Sequence, residues 1–245
     1  MSSHRAPDHR EGARPLKYDA VIFDYGNTLV SYWTRGEWPG LLAQATAEAC
    51  AFLAQRGLMR INPLELPARV EAQRGEADDH RVVPLEDRLR RVFDLAERDL
   101  NADGMHELCR CFVTPLLARA RSCDDVLPAL AELRRRGIKT GILSNLPWGS
   151  PAELWRGELA RLRLLDAVDA VVFCSDAGYR KPAPQPFQLV LSKLGVTPQR
   201  SLFVGDDPQW DVAGAQAIGM HALLIDRTGQ NPDAIRSLQD VIDRL

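Results

Sequence analysis

The chain has 245 residues, of which 45% are hydrophobic and 26% are charged, and its formal net charge is −2. This composition is typical of a soluble globular protein with one large or two small domains. The near-zero charge argues against nucleic acid or an anionic membrane as a partner, and no segment is apolar over the length of a membrane span.

Residues 1–17 are polar and lack the apolar segment of a signal peptide, so we expect a disordered tail. The five cysteines include no Cys-x-x-Cys pair, which favours reduced thiols in a cytoplasmic protein.

The first predicted strand is the apolar run 20–23, which ends at Asp24. The next residues, Tyr25 to Thr28, include Gly26 and Asn27, which suit a tight turn. In open parallel sheets, ligands bind where strands end, and a carboxylate there can act as a nucleophile or a metal ligand. The alternative from this stretch alone is a turn aspartate that hydrogen-bonds to its own loop.

From Ser31 to about Pro115 the pattern becomes helical. Apolar residues with helical spacing predict four helices, at 41–55, 63–74, 85–100 and 103–117, of which the second has its true start near Pro67. Trp33 and Trp38 flank Arg35 near the start of this segment, where they either pack at a hinge or line a pocket. The charged run 76–81 predicts a solvated loop, with His80 or Arg81 reaching a substrate as the alternative.

From residue 118 onward, short apolar runs alternate with helix-like segments. The predicted strands are 138–143, 170–174, 201–204 and 221–225, and the predicted helices are 125–136, 152–164, 186–194, 212–220 and 234–245. We expect Ser122 or Asp124 to cap the first of these helices. This alternation is typical of a parallel sheet covered by helices. All strands of such a sheet end at one edge, so the polar residues that follow them should converge there.

Ser144 and Asn145 follow the second predicted strand, and Lys181 lies in the loop after the third. A hydroxyl and a backbone N–H at a strand end can bind an anion, whereas helix capping explains the same two residues without a ligand. Lys181 precedes Pro182 beside the strand ends, where a fixed ammonium offsets the charge of Asp24 and a phosphate.

The fourth predicted strand leads into Gly205, Asp206 and Asp207, and Asp211 opens the next helix. Clustered carboxylates near Asp24 suit Mg²⁺, a cation that prefers oxygen ligands and keeps several waters. Asp211 also favours a helix N-terminus electrostatically, which is a structural alternative for that residue.

These segments together resemble the haloacid dehalogenase-like hydrolase superfamily, and most closely its phosphatase branch. The matching motifs, in the family's order, are Asp24-Tyr-Gly-Asn-Thr28, Ser144-Asn145, Lys181-Pro182, and Gly205-Asp206 with Asp211. The resemblance implies an α/β fold, with a Rossmann-like doubly wound parallel sheet as the catalytic core at residues 18–32 and 118–245. It also implies an inserted all-helical cap domain at residues 33–117 that covers the site and selects the substrate.

The resemblance further implies an Mg²⁺-dependent hydrolase of small phosphate esters that forms an aspartyl-phosphate on Asp24. Lys181, Ser144 and Thr28 would stabilise the phosphoryl oxygens, with Ser144, Asn145 and Lys181 contacting the substrate. The metal would be bound by Asp24, the Gly26 carbonyl and Asp206, and Asp211 would mainly support these ligands without binding the metal directly. The expected partner is a small phosphorylated metabolite, and the expected assembly is a monomer or a homodimer.

Gly26 departs from the family pattern, which has a second aspartate two positions after the nucleophile. That aspartate protonates the leaving oxygen and later activates water, a contribution of roughly 10²–10⁴-fold. We therefore expect slow turnover unless Tyr25, Asp207 or a cap residue such as His80 takes over. Two alternatives stay open: a weak or inactive phospho-ligand-binding or scaffold protein, and a metal-independent dehalogenase, against which the retained Gly205-Asp206 argues.

Overall fold

This computed structural model describes residues 17–34 and 36–245. The predicted disordered tail, residues 1–17, therefore lies outside the described part except for its last residue. None of the helices in the described part is both long and apolar enough to span a membrane.

The described residues form two sheets, in which β1, β4, β5, β6 and β7 make a five-stranded parallel sheet with the order β5-β4-β1-β6-β7. The strands are β1 (Ala20–Phe23), β2 (Val30–Ser31), β3 (Arg121–Ser122), β4 (Lys139–Ser144), β5 (Ala170–Phe173), β6 (Ser201–Gly205) and β7 (His221–Leu224). The chain proceeds outward on one side of β1 and then on the other. This is the predicted doubly wound arrangement, and ligands bind beside its central strand.

Helices cover both faces of the parallel sheet, and a helical segment is inserted between β2 and β3. The helices are α1 (Trp38–Gln55), α2 (Leu66–Glu71), α3 (Leu85–Phe93), α4 (Ala102–Leu117), α5 (Val126–Arg135), α6 (Ala152–Arg161), α7 (Cys174–Ala177), α8 (Pro184–Leu194), α9 (Gly214–Ala217) and α10 (Gln239–Ile242).

The central strand β1 is buried on both faces, which explains why its sequence is apolar without alternation. Ile22 packs with Phe187 and Phe203 in one core cluster. Val21 and Phe23 point to the other face and join a larger cluster, which continues into α1 and α4 of the helical insertion. Burial on both sides fixes the register of β1, and with it the position of Asp24 at the strand end.

The helical insertion differs from the prediction in two helices. The predicted helix 85–100 ends at Phe93 because Asp94 has a left-handed backbone (φ 54°), and a short 3₁₀ turn follows at Glu97–Asp99. The predicted helix 63–74 is a 3₁₀ turn, Pro63–Glu65, followed by α2, whose first turn contains Pro67. The expected start near Pro67 is therefore confirmed.

In the C-terminal part, the predicted helix 234–245 is wrong except for the four residues of α10. Ile235 instead extends the sheet: its N–H donates to the Leu224 carbonyl (2.9 Å), and its carbonyl accepts from Asp226 N–H (2.8 Å). The predicted cap of α5 is also wrong, since Asp125 occupies that position without a side-chain capping bond. Its carboxylate accepts from the backbone of Leu238 (2.8 Å).

The helical insertion leaves and re-enters the core at one point. β2 and β3 pair antiparallel, with Val30 opposite Ser122 and Ser31 opposite Arg121. This two-stranded link holds both chain crossings side by side. It lies a few residues from Asp24, so it positions the insertion over the strand ends.

Candidate active site

A cavity of about 140 Å³ opens at the carboxyl edge of the parallel sheet. One wall is polar, and its residues are Asp24, Ser144, Asn145, Lys181, Asp206, Asp207 and Asp211. They come from the ends of β1, β4 and β6 and from two loops, which is the convergence that the strand pattern predicted.

Asp24 is held by two hydrogen bonds on the same carboxylate oxygen. Its Oδ1 accepts from Ser144 Oγ (3.0 Å) and from Lys181 Nζ (2.6 Å). No side-chain bond in the described residues engages Oδ2. The carboxylate is thus fixed in orientation with one oxygen left for a ligand, which rules out the simple turn role for Asp24.

Lys181 is fully enclosed and uses all three of its donors. Besides Asp24, its ammonium group donates to Asp211 Oδ1 (2.6 Å) and to the Leu143 carbonyl (3.0 Å). Burial disfavours the charged form, but the two carboxylates outweigh it and hold the pKa of Lys181 above its usual value. Lys181 therefore stays protonated and offsets part of the negative charge of the site.

Asp206 and Asp211 add negative charge that Lys181 does not balance. Burial, reinforced by Asp24 and Asp211, raises the pKa of Asp206 to about 7. Burial also raises the pKa of Asp211 to about 6 despite its contact with Lys181. A Cβ at Gly205 would overlap the Asp211 carboxylate, so only glycine lets that group approach the strand end.

The donor set fits a divalent metal that prefers oxygen. Single carboxylate oxygens of Asp24, Asp206 and Asp211 lie within 4.8 Å of one another. Asp211 already uses Oδ1 for Lys181 and Oδ2 for the N–H of Asp207 (3.0 Å). Asp24 and Asp206 are the better direct ligands, and Asp211 is a positioning residue for Lys181.

Asn145 and Thr28, two other predicted site residues, differ in their location. The Asn145 side chain donates to the Lys181 carbonyl (3.1 Å) and accepts from the Lys181 N–H (2.8 Å), so it fixes the lysine loop. Thr28 is fully buried and is not among the residues that line the cavity. Its hydroxyl has no hydrogen-bond partner in the described residues, and its predicted contact with phosphate stays a prediction.

Gly26 has an ordinary backbone conformation, and the positive φ in this turn (56°) belongs to Asn27. A Cβ built on Gly26 would lie 3.4 Å from Cδ2 and 3.6 Å from Cε2 of Tyr32. These are ordinary contact distances, so an alanine would fit. The ring of Tyr32 nevertheless occupies the space beside the position where the family has its second aspartate.

Aromatic residues form the opposite wall of the cavity, and most of them escaped the sequence analysis. They are Tyr25, Tyr32, Trp33, Trp155 and Trp210. Of the two tryptophans noted near the insertion, Trp33 lines the cavity and packs against Trp38 with ring centroids 4.9 Å apart. Among the three that were missed, Trp210 lies directly before Asp211, and this position is a signal that could have been followed.

None of the suggested substitutes for the missing aspartate is well placed as a base. Burial raises the pKa of Tyr25 above its usual value, so its phenol stays protonated at neutral pH. The Asp207 carboxylate caps a π-helical segment, Pro208–Ala213, by accepting from the N–H groups of Gln209 (2.8 Å) and Trp210 (2.9 Å). His80 is exposed and does not belong to the cavity lining, although its carbonyl accepts from Arg180 N–H (2.8 Å).

The raised pKa of Asp206 predicts how the stability of the metal-free protein depends on pH. Because the folded pKa lies above the usual 3.8, the stabilising effect of protonation is complete below that value and is lost as the pH rises through about 7. Asp206→Asn should therefore raise the free energy of unfolding at pH 8 by on the order of 2 kcal/mol, and by less at pH 5. At pH 8 this corresponds to a rise in melting temperature of about 4–8 °C.

Asp207→Asn is the matched control, because it changes a neighbouring carboxylate that caps a helix. It should leave the pH dependence unchanged. Mg²⁺ should raise the melting temperature of wild type and Asp207→Asn but not that of Asp206→Asn. Equal Mg²⁺ effects in the two variants would mean that Asp206 is not the metal ligand.

The fold and the site together define an enzyme of the parallel α/β class. Residues 18–219 match the haloacid dehalogenase-like hydrolases, so the chain belongs to that family, as the motifs predicted. It is 32% identical over 222 residues to Phosphatase MT3486 of Mycobacterium tuberculosis (strain CDC 1551 / Oshkosh), covering 90% of this chain and 93% of that protein. The expectation of a phosphatase-type hydrolase is thereby confirmed.

Solved structures show both branches of the family. A HAD phosphatase from Thermococcus onnurineus is 27% identical with a TM-score of 0.62, covering 92% of this chain and 97% of that one. A 2-haloacid dehalogenase from Pseudomonas syringae pv. Tomato DC3000 is 25% identical with a TM-score of 0.63 and the same coverage. The fold alone therefore does not separate the two reactions.

Proposed function

We propose that the protein is an Mg²⁺-dependent phosphatase of small phosphate esters, with Asp24 as the nucleophile. The observation that carries the proposal is the double restraint on Asp24 Oδ1, which fixes this carboxylate in the wall of a cavity that three further carboxylates also line. A carboxylate fixed in this way loses little freedom on reaching the phosphorus atom.

In this proposal the reaction has two steps, in which Asp24, Ser144 and Lys181 have different roles. Asp24 forms a bond to phosphorus as the bond from phosphorus to the alcohol oxygen breaks, which gives an acyl phosphate and the free alcohol. Water then attacks that phosphoryl group and regenerates Asp24. Ser144 holds the nucleophile, while the Lys181 ammonium offsets the charge of Asp24 and of the phosphoryl oxygens.

Asp24 and Asp206, with the Gly26 carbonyl, are the residues that would hold Mg²⁺. When bound, the ion supplies positive charge next to the phosphoryl oxygens. Since an aspartate is missing at position 26, the proton transfers of both steps lack their usual group, and hydrolysis of the acyl phosphate is the step we expect to be slow.

The retained Asp206 and Asp211 favour the phosphatase over the metal-independent dehalogenase. Their charge is useful beside a cation and costly without one. A screen of phosphate esters with Mg²⁺ and with EDTA tests the proposal: phosphate release should require Mg²⁺. Metal-independent halide release from a 2-haloacid, without phosphate release, would favour the dehalogenase. Binding of phosphate esters without release would favour the binding protein.

Residues 33–117 act in this proposal as a cap that opens for substrate and closes for chemistry. The contacts between the cap and the lysine loop include Arg180 N–H to the His80 carbonyl (2.8 Å), Val82 N–H to the Gly178 carbonyl (3.0 Å), and the Arg180–Glu76 ion pair (3.6 Å). In this proposal these polar contacts break and re-form as the cap opens and closes.

The cap motion has a specific exchange signature. Fluoroberyllate, a mimic of the phosphoryl group, should slow amide exchange at Val82 and Arg180 by at least about tenfold, because closure protects both N–H groups. Glu76→Gln should exchange faster than wild type at both amides without the ligand. Unchanged exchange at both amides after demonstrated fluoroberyllate binding would contradict a moving cap.

A further inference from the structure

The absence of a side chain at position 26 changes the opposite wall of the cavity as well as the acid–base chemistry. Tyr32 lies with its ring edge 3.4 Å from the Cβ position of Gly26. Tyr32 also meets Tyr25 edge-to-face, with ring centroids 5.3 Å apart, and Trp155 at 5.9 Å. Where a further carboxylate would introduce negative charge, this chain has a continuous aromatic surface.

Trp33 completes that surface on the side of the cap. Its ring centroid lies 6.5 Å from that of Tyr32, and it packs at a tilt against Trp38 with centroids 4.9 Å apart. Its Nε1 is buried and has no hydrogen-bond partner in the described residues. The ring of Trp33, rather than its N–H, is therefore what Trp33 presents to the cavity.

The charges of the cavity lining disfavour a second negative charge on the substrate. Among the described lining residues, Lys181 is the one cation, and its three donors are already taken. In this cavity a second anionic group on the substrate would face aromatic rings and four carboxylates. Removing such a group from water without a counter-charge is strongly unfavourable.

The alcohol part of a substrate has to extend past the position of the phosphoryl group. The cavity of about 140 Å³ is needed for the phosphoryl group beside Asp24. It shares Asn27, Tyr32, Trp33 and Asp206 with a second cavity of about 680 Å³, into which the alcohol part can extend. Arg227, the one cation among the described residues that line this second cavity, already pairs with Asp125 (3.1 Å).

Resting on the proposed phosphatase function, we propose that the alcohol part of the substrate lies against Tyr32 and Trp33 and is flat, uncharged and aromatic. Aryl and arylmethyl phosphates are then preferred over saturated esters of the same size and over esters that carry a carboxylate. Aromatic contacts of this kind are worth about 0.5–1.5 kcal/mol beyond area burial, which predicts a preference of about 3- to 10-fold.

The test compares kcat/KM for benzyl phosphate and cyclohexylmethyl phosphate, two esters of similar size whose alcohols have similar acidity. This ratio reports steps up to phosphorylation of Asp24 and is insensitive to slow hydrolysis of the acyl phosphate. We expect a ratio of about 3–10 for wild type, a similar ratio for Trp33→Phe, and a ratio near one for Trp33→Leu. Phosphoglycolate should have a lower kcat/KM than benzyl phosphate.

A wild-type ratio near one would overturn the proposal, as would a phosphoglycolate value above that of benzyl phosphate. A high ratio that survives Trp33→Leu would overturn the assignment to Trp33. Acetyl phosphate, which has no ring and a good leaving group, separates failure of the substrate class from failure of the phosphatase proposal. If acetyl phosphate is hydrolysed but the ratio of benzyl to cyclohexylmethyl phosphate is near one, only the proposed substrate class is wrong. If none of these compounds is hydrolysed, the phosphatase proposal is wrong as well.

Discussion

Replacing Asp24 by asparagine should abolish phosphate release, with a loss of at least about 10³-fold, because an amide oxygen does not attack phosphorus as a carboxylate does. The variant should fold normally. Asp24 is one of three neighbouring carboxylates, so asparagine removes one charge from an acidic cluster, while Asp211 still pairs with the Lys181 ammonium.

The measurement is steady-state phosphate release at saturating Mg²⁺, with thermal unfolding of the same preparation as the control for folding. Asp207→Asn is the matched control, since it makes the same chemical change at a carboxylate that caps a helix. It should keep most of the activity. Hydrolysis by a well-folded Asp24→Asn variant at a rate near that of wild type would contradict the assignment of the nucleophile.

Restoring an aspartate at position 26 should produce the second large effect, a gain of activity. The backbone permits it, since Gly26 does not have a positive φ. The neighbour to consider is Tyr32, whose ring lies 3.4 Å from the new Cβ and limits the rotamers open to the longer aspartate side chain. We therefore expect Gly26→Asp alone to gain little, and the double variant Gly26→Asp/Tyr32→Ala to gain about 10²-fold in steady-state turnover.

Pre-steady-state kinetics separates the two steps in these variants. With p-nitrophenyl phosphate, wild type should show a burst of nitrophenol followed by slow turnover, because phosphorylation with a good leaving group needs little proton transfer. Hydrolysis of the acyl phosphate needs an activated water for every substrate. The burst should disappear in the double variant as the second step accelerates.

Tyr32→Ala alone is the control for the altered wall, and it should keep the burst. A folded, Mg²⁺-binding double variant without any gain would mean that another group already transfers the proton, or that chemistry does not limit the rate. If neither wild type nor the variants hydrolyse any ester, the binding or scaffold alternative becomes the better account.

The polar wall of the site was predictable because it depends on topology. Apolar runs that end in Asp24, Ser144 and Asp206 had to meet once the sheet was parallel, and Lys181 follows the neighbouring strand. What the sequence did not reveal is how Lys181 divides its donors among two carboxylates and a carbonyl. That division depends on the approach of Asp211, which Gly205 permits.

The aromatic wall was not predictable, because sheet topology does not determine where its residues lie. Tyr32 follows β2 and Trp155 lies on α6, and these two elements share no strand register that a sequence pattern could reveal. The C-terminal error has a similar origin. Helical spacing over 234–245 was real, but pairing of Ile235 beside β7 satisfied the backbone in another way.

A phosphoryl group trapped on Asp24 tests the central proposal most directly. Wild type is mixed with p-nitrophenyl phosphate labelled in the phosphoryl group and quenched in acid within the burst, and the label is then located by peptide mapping. We predict close to one labelled phosphoryl group per active site, carried by the peptide that contains Asp24, and none in Asp24→Asn. Phosphate release without label on the protein, or label on a different residue, would contradict it.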